Sequence, residues 1–294
     1  MKIGYFADGP WSHKAFEKIS VLGDVQIKFI CPRFDSTDLI LKKYAENNNI
    51  PFLIHPNINS LEFLSKSDVK DCDLFVSMSF NQIFKKETLS LPSLGTINCH
   101  AGKLPFYRGR NILNWALIND EKEFGITVHY VDEGIDTGDI IKQNCYEIND
   151  HDDYTTLLNR AYSGCADILT EAIEDFLKGQ INRISQNSIS PHGSYCPARK
   201  EGDEKLDWNQ SSRDIFNFVR SICEPGPSAR SNLGDIEVKI NKVSYFENAP
   251  NYKGIPGAIL AKVEDGLLVK TLDSYVCLHR WECSKPIKVG DRLN

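Results

Sequence analysis

Asn98 and His100 follow the short apolar stretch Gly95-Thr96-Ile97, and a carboxylate arrives later in Ile135-Asp136-Thr137-Gly138. Side chains at i and i+2 of a strand lie on one face, so this spacing aims an amide and an imidazole in the same direction. Joined by a carboxylate, they suit acyl transfer. The amide N–H groups hold a developing oxyanion, the imidazole carries protons, and the carboxylate orients the imidazole. An isolated Asn-x-His pair is also what a strand end uses to satisfy loop backbone, so the pair acquires meaning only from its surroundings. Cys99, between the two, raises the question of a thiol nucleophile. On a strand it points to the opposite face, which predicts buried packing without chemistry.

The elements that must position these residues alternate along the chain. Apolar runs at residues 3–6, 25–30, 52–54, 74–76 and 95–98 read as strands, and segments at 11–22, 38–48 and 60–65 as helices between them. That alternation predicts an α/β domain with a doubly wound, Rossmann-like parallel sheet, whose ligands sit beyond the carboxyl ends of the strands. Pro105 and Gly109 break the chain before a helix at 111–119. Strands at 124–131 and 140–148 and a long helix over 154–178 complete the domain, and 179–198, rich in Ser, Asn, Pro and Gly, reads as a connection. Beyond it, a helix at 212–222 is capped by Ser211 or Ser212. Alternating stretches at 236–245, 258–263, 267–271 and 276–281 predict a small β-rich domain. The expected division is therefore 1–198 and 199–294.

Four motifs give the amide and imidazole a context: Asn98-Cys99-His100-Ala101-Gly102-Lys103-Leu104-Pro105, Tyr107-Arg108-Gly109-Arg110, Gly125-Ile126-Thr127-Val128-His129, and Asp136-Thr137-Gly138-Asp139. In order and spacing they resemble the core of the folate-dependent formyltransferases. That family includes methionyl-tRNA formyltransferases, glycinamide ribonucleotide transformylase, formyltetrahydrofolate hydrolase and dehydrogenase, and nucleotide-sugar N-formyltransferases. Downstream, Ala198-Arg199-Lys200-Glu201-Gly202-Asp203, Leu206-Asp207-Trp208 and Phe218-Val219-Arg220 resemble the junction to the C-terminal region of the longer members. The resemblance spans roughly residues 2–230 and implies an open-barrel form for the C-terminal domain. It makes Asn98, His100 and Asp136 the catalytic residues and N10-formyltetrahydrofolate the co-substrate, with no metal. It implies a pterin pocket lined by Met78, Phe80 and Ile83, with Leu104 and the loop carrying Val131, Asp132 and Gly134 as the other walls. The bare residues leave Phe80, Ile83 and Leu104 open to a plain core role. Trp11, at the mouth of the expected cleft, either stacks on a sugar or base or packs in the core. Arg108 and Arg110 are candidates for phosphate contacts, and the resemblance gives at least one of them a structural role instead. His13, His55, His129, His151, His192 and His279 lack ligand-like spacing and receive no function.

Composition narrows the acceptor. Lys and Arg total 34 against 40 Asp and Glu, a net charge of −6, and the nine cysteines include no Cys-x-x-Cys pair. Neither a disulfide framework nor a zinc site follows, which predicts a reduced, cytoplasmic protein. No apolar run approaches the roughly 20 residues of a membrane span, and Asp8 comes too early for a signal peptide. No strand is followed by Gly-x-Gly-x-x-Gly, against a nicotinamide cofactor. Methionyl-tRNA formyltransferases carry a long basic, Gly-rich loop after the second strand. Here residues 31–51 are short, with Arg33, Lys42 and Lys43 balanced by Asp35, Asp38 and Glu46, and residues 200–294 sum to zero charge. Nucleic-acid affinity rests on phosphate neutralisation. The expected partner is therefore a nucleotide-linked amino sugar, with no nucleic acid, no membrane, and room for a homodimer. Glycinamide ribonucleotide transformylase would leave the C-terminal third unexplained, and the hydrolase carries an N-terminal regulatory domain with no counterpart here. A methionyl-tRNA formyltransferase and a non-catalytic folate-binding or tailoring module are the alternatives.

Overall fold

In the computed structural model, which describes residues 1–294, the first apolar run forms a strand whose residues after Lys2 are all buried. Burial on both faces is what a central parallel strand requires. The strands around it, in chain order, are β1 (Lys2–Ala7), β2 (Gln26–Cys31), β3 (Leu74–Met78), β4 (Thr96–His100), β5 (Arg108–Gly109), β6 (Glu123–Tyr130), β7 (Ile140–Glu147) and β8 (Tyr195–Cys196). Six of them form one sheet in the order β2-β1-β3-β4-β6-β7, while β5 and β8 pair separately. β1, β2, β3 and β4 run parallel, and β6 runs antiparallel to β4 with Asn98 opposite His129 and His100 opposite Thr127.

The helices are α1 (Gly9–Ile19), α2 (Leu39–Asn47), α3 (Leu61–Leu64), α4 (Ser67–Lys70), α5 (Lys86–Leu89), α6 (Ile112–Ile118), α7 (Tyr154–Lys178), α8 (Gln186–Ile189) and α9 (Ser212–Ser221). Their starts follow from capping chemistry. The Asp38 carboxylate accepts from the N–H groups of Ile40 and Leu41 at the head of α2, and the Ser211 hydroxyl accepts from Asp214 N–H at the head of α9. No helix is long and apolar enough to cross a membrane.

The chain divides into two compact units without a single boundary. One comprises Met1–Gly109, Phe124–Tyr146 and Asn159–Cys196; the other Arg110–Glu123, Glu147–Leu158 and Pro197–Asn294. The first unit contains an aromatic cluster in which Phe6 meets Phe29, Phe75 and Phe84 edge to face, at centroid distances of 5.3, 5.2 and 5.0 Å. Each such pair adds about 0.5–1.5 kcal/mol beyond the area it buries, so the cluster ties β1 to its neighbours β2 and β3.

The second unit contains β9 (Ala229–Leu233), β10 (Ile236–Ser244), β11 (Ile259–Val263), β12 (Gly266–Lys270) and β13 (Tyr275–Cys283), an antiparallel sheet in the order β11-β12-β13-β10-β9. Its core joins Ile215, Val219 and Ile222 of α9 and its end to Val238, Ile240, Val269 and Leu278 of the strands. Leu293 bridges to Leu233 and Arg292 to Ala258, so the last residues tie the two sheet edges together. That ligature removes exposed edges in the manner of a partly closed barrel.

Two expectations change. Residues 52–54 form no strand: Phe52 makes a single bridge to Ile30, and its neighbours Pro51 and Pro56 have no N–H to extend a ladder. Residues 179–198 are more than a connection, because they contain α8 and β8.

Candidate active site

β4 delivers Asn98 and His100 at its carboxyl end, as the alternation of a strand requires, and Cys99 turns the other way into the core, its Sγ near the Cys165 carbonyl. Asp136 approaches from the loop after β6 with φ at 54°, a left-handed conformation that few non-glycine residues adopt. Its Oδ2 lies 3.7 Å from His100 Nδ1 and accepts the Gly109 N–H at 2.8 Å. The three predicted residues therefore converge.

His100 is nearly buried, and its Nε2 lies 2.7 Å from the Tyr107 carbonyl. A carbonyl only accepts, so Nε2 carries the hydrogen and the lone pair of the neutral ring resides on Nδ1. Burial pushes the imidazole below its ordinary pKa, against the opposing pull of Asp136 and the Tyr107 carbonyl. Burial acts on Asp136 in the other direction, but the His100 imidazole, with His129 and the Gly109 N–H, outweighs it and holds this carboxyl well below the usual range. The site thus rests as a neutral imidazole beside an ionised carboxylate, with Nδ1 ready for a proton. Gly102 is required here for space: a Cβ on it would lie 2.4 Å from His100 Nε2 and 2.5 Å from the Tyr107 oxygen.

His129, given no function on sequence grounds, is part of the cluster. Its Nδ1 donates to the Tyr130 carbonyl at 2.7 Å, leaving Nε2 to accept from Asn98 Nδ2 at 3.2 Å. That bond fixes the Asn98 amide with nitrogen toward His129 and leaves its second N–H for an incoming oxygen. The same Nε2 lies 3.6 Å from Asp136 Oδ1. The signal for His129 is strand pairing, since it becomes a neighbour only once β6 runs antiparallel to β4.

An amide, an imidazole and a carboxylate brought together at one sheet end are the groups that acyl transfer requires. Residues 28–173 match the family model for formyl transferases, and residues 199–294 match the formyl transferase C-terminal domain. The methionyl-tRNA formyltransferase of Thermodesulfovibrio yellowstonii is 36% identical over 231 residues, covering 79% of this chain and 72% of that protein. The chain belongs to the formyltransferase family.

Two solved structures share the fold along almost its whole length. One is WlaRD, a sugar 3N-formyltransferase in the presence of dTDP and 5-N-formyl-THF, at TM-score 0.71 and 21% identity, covering 98% of this chain and 99% of that one. The other is the N-formyltransferase from Helicobacter canadensis with folinic acid and dTDP-3-aminofucose, at TM-score 0.71 and 22% identity, covering 96% and 100%. The formyltransferase described here is an enzyme that depends on N10-formyltetrahydrofolate.

The donor-site expectations fall on varied ground. Met78 and Leu104 are each about 1% exposed, and their carbonyls already accept from Asp8 N–H and Gln143 Nε2, so neither meets the expectation of a pocket wall. Phe80 and Val131 are half-buried against the aromatic cluster, and Ile83 is exposed. The Asp132 carboxylate is engaged by Gly134 N–H and the Thr137 hydroxyl, which makes it the brace of its own turn.

Of the two acceptor-site candidates, Trp11 packs edge to face on Tyr162 at 4.6 Å. Arg108 does not meet the expectation of a phosphate contact. It is buried, donates from Nε and Nη2 to Gln186 Oε1 and from Nη1 to the Tyr195 hydroxyl, and lies over the Tyr195 ring. Its fork is already filled.

Proposed function

We propose that this formyltransferase passes the formyl group of N10-formyltetrahydrofolate to the amine of a nucleotide-linked amino deoxysugar, a step of surface-glycan assembly. The neutral amine attacks the formyl carbon. A C–N bond forms, and the carbonyl pair moves onto oxygen, where the free N–H of Asn98 receives it. The new ammonium yields its proton to His100 Nδ1, and the imidazolium is stabilised by the Asp136 carboxylate and the Tyr107 carbonyl. His100 then returns the proton to N10 as the C–N10 bond breaks and the oxyanion collapses. The products are the N-formyl sugar and tetrahydrofolate.

The observation that carries the choice of acceptor is the segment 32–38 between β2 and α2. It holds one cation, Arg33, against Asp35 and Asp38. That guanidinium donates from Nε and Nη2 to the Ser79 carbonyl at 3.0 and 2.7 Å and lies 3.5 Å from Asp8 Oδ2, so most of its charge is already met within the chain. Binding a tRNA through many phosphates needs cations that this segment does not offer. A nucleoside diphosphate needs few.

A second reading, formylation of methionyl-tRNA, is favoured by the 36% identity to the Thermodesulfovibrio enzyme. The two separate in one assay: N10-formyltetrahydrofolate supplied with UDP- and dTDP-linked 3-amino and 4-amino deoxysugars, and in parallel with charged initiator tRNA. Formyl-sugar product at a rate only weakly dependent on salt supports the proposal. Transfer to tRNA at a rate matching the best sugar, and collapsing as salt rises, establishes the second reading instead.

A further inference from the structure

Gln186 is 2% exposed, and every hydrogen-bonding position of its amide is used. Nε2 donates to the Asp136 carbonyl at 2.8 Å and to the Gly138 carbonyl at 2.7 Å. Oε1 accepts from Arg108 Nε at 3.0 Å and Nη2 at 2.7 Å. An amide offers two donors and two lone pairs, and here each has a partner. Arg108 is held in turn by the Tyr195 hydroxyl at 3.1 Å. The next residue along β5, Gly109, donates its N–H to the Asp136 carboxylate. Gln186 and β5 therefore grip Asp136 at both ends, backbone and side chain, where its φ is left-handed. A strained conformation persists only when its surroundings over-determine it.

We propose that Gln186, seated on Arg108, is a positioning residue for formyl transfer: it holds the Asp136 backbone so that the carboxylate faces His100. The inference rests on the role given to Asp136 above. No other side chain reproduces the arrangement. Glutamate keeps the acceptors for Arg108 but sets a carboxylate against two carbonyl oxygens. Methionine has similar length and strips Arg108 of its acceptor, leaving a buried cation unsatisfied. Gln186→Glu is therefore the informative variant, because it retains the Arg108 contact that packing needs, and Gln186→Met is the second.

The experiment measures kcat, both KM values and the pH profile of kcat for Gln186→Glu, Gln186→Met, Asp136→Asn and the double variant Gln186→Glu with Asp136→Asn, with thermal melts on each. A displaced carboxylate should lower kcat about 10- to 100-fold in Gln186→Glu, with both KM values within about threefold. The acidic limb of kcat, where His100 gains its proton, should move to lower pH in the direction seen for Asp136→Asn, because the carboxylate opposes the effect of burial. The double variant should cost little more than Asp136→Asn alone. A merely structural glutamine would lower the melting temperature and leave the limb in place. Wild-type kcat in folded Gln186→Glu, an unmoved limb, or a multiplicative double variant would overturn the positioning role while Asp136→Asn stays impaired. Wild-type kcat in Asp136→Asn would remove the underlying reading, and the inference with it.

Discussion

Replacing Asp136 by asparagine removes one negative charge with almost no change in volume. Its Oδ2 lies 3.7 Å from His100 Nδ1, and two unit charges at that separation interact by roughly 4–5 kcal/mol at an effective dielectric near 20. The resting imidazole is neutral, so this energy appears only after His100 has taken the proton from the attacking amine. It acts on the charged stage of the reaction and hardly at all on substrate binding. Lost whole, it corresponds to roughly 10³ in rate. The side chain is 15% exposed, and an asparagine oxygen can still accept from Gly109 N–H, so the expected loss in kcat for Asp136→Asn is about 10²–10³. The assay is steady-state product formation across pH, with KM for donor and acceptor read from the same data and circular dichroism to verify folding. KM should change by less than about threefold. A folded Asp136→Asn enzyme within about threefold of wild-type kcat would refute the electrostatic argument and the proton-accepting role of Nδ1 with it.

Other outcomes follow from the same geometry. Burial lowers the His100 pKa, so the unfolded chain, with an ordinary histidine near 6.5, binds that proton more readily than the folded one. Stability should therefore be whole above about pH 6.5 and fall as pH drops toward the folded value. A second loss should set in below about pH 4, as the depressed Asp136 carboxyl is protonated; urea midpoints stepped through pH 3–8 should show both limbs, and His100→Gln should lack the first. Gly102→Ala places a methyl against His100 Nε2 and the Tyr107 oxygen, which should cost about 10² in kcat through a misplaced imidazole. Unchanged kcat there would mean that the Tyr107 contact is dispensable. Cys99→Ala should lower stability by about 1–2 kcal/mol through lost packing and leave kcat within about twofold. Inactivation by a thiol reagent that vanishes in Cys99→Ala would give the thiol a role after all.

Where local pattern decided the structure, the sequence was readable. Helix α7 follows its apolar periodicity from Tyr154 to Lys178, and β4 has the alternation that sends Asn98 and His100 one way and Cys99 the other. The unread parts depend on contacts between distant segments. His129 becomes a partner of Asn98 through antiparallel pairing across 31 positions. Arg108, flanked by Tyr107 and Gly109, resembles an anion contact until Gln186, 78 residues on, fills its fork. Gln186 itself lies among Ser, Asn and Pro residues, whose composition signals a loop and conceals a buried amide.

If Asn98, His100 and Asp136 form one acyl-transfer unit, as proposed, their losses must be interdependent. Single-turnover formyl transfer from N10-formyltetrahydrofolate, at saturating enzyme, tests this most directly in wild type, Asn98→Ala, His100→Ala and the double variant. Losses on the order of 10²–10³ are expected for Asn98→Ala and a comparable or larger loss for His100→Ala, with the double variant far less than multiplicative. Near wild-type single-turnover rates in either folded single variant, or fully multiplicative losses in the double, would contradict the proposed unit.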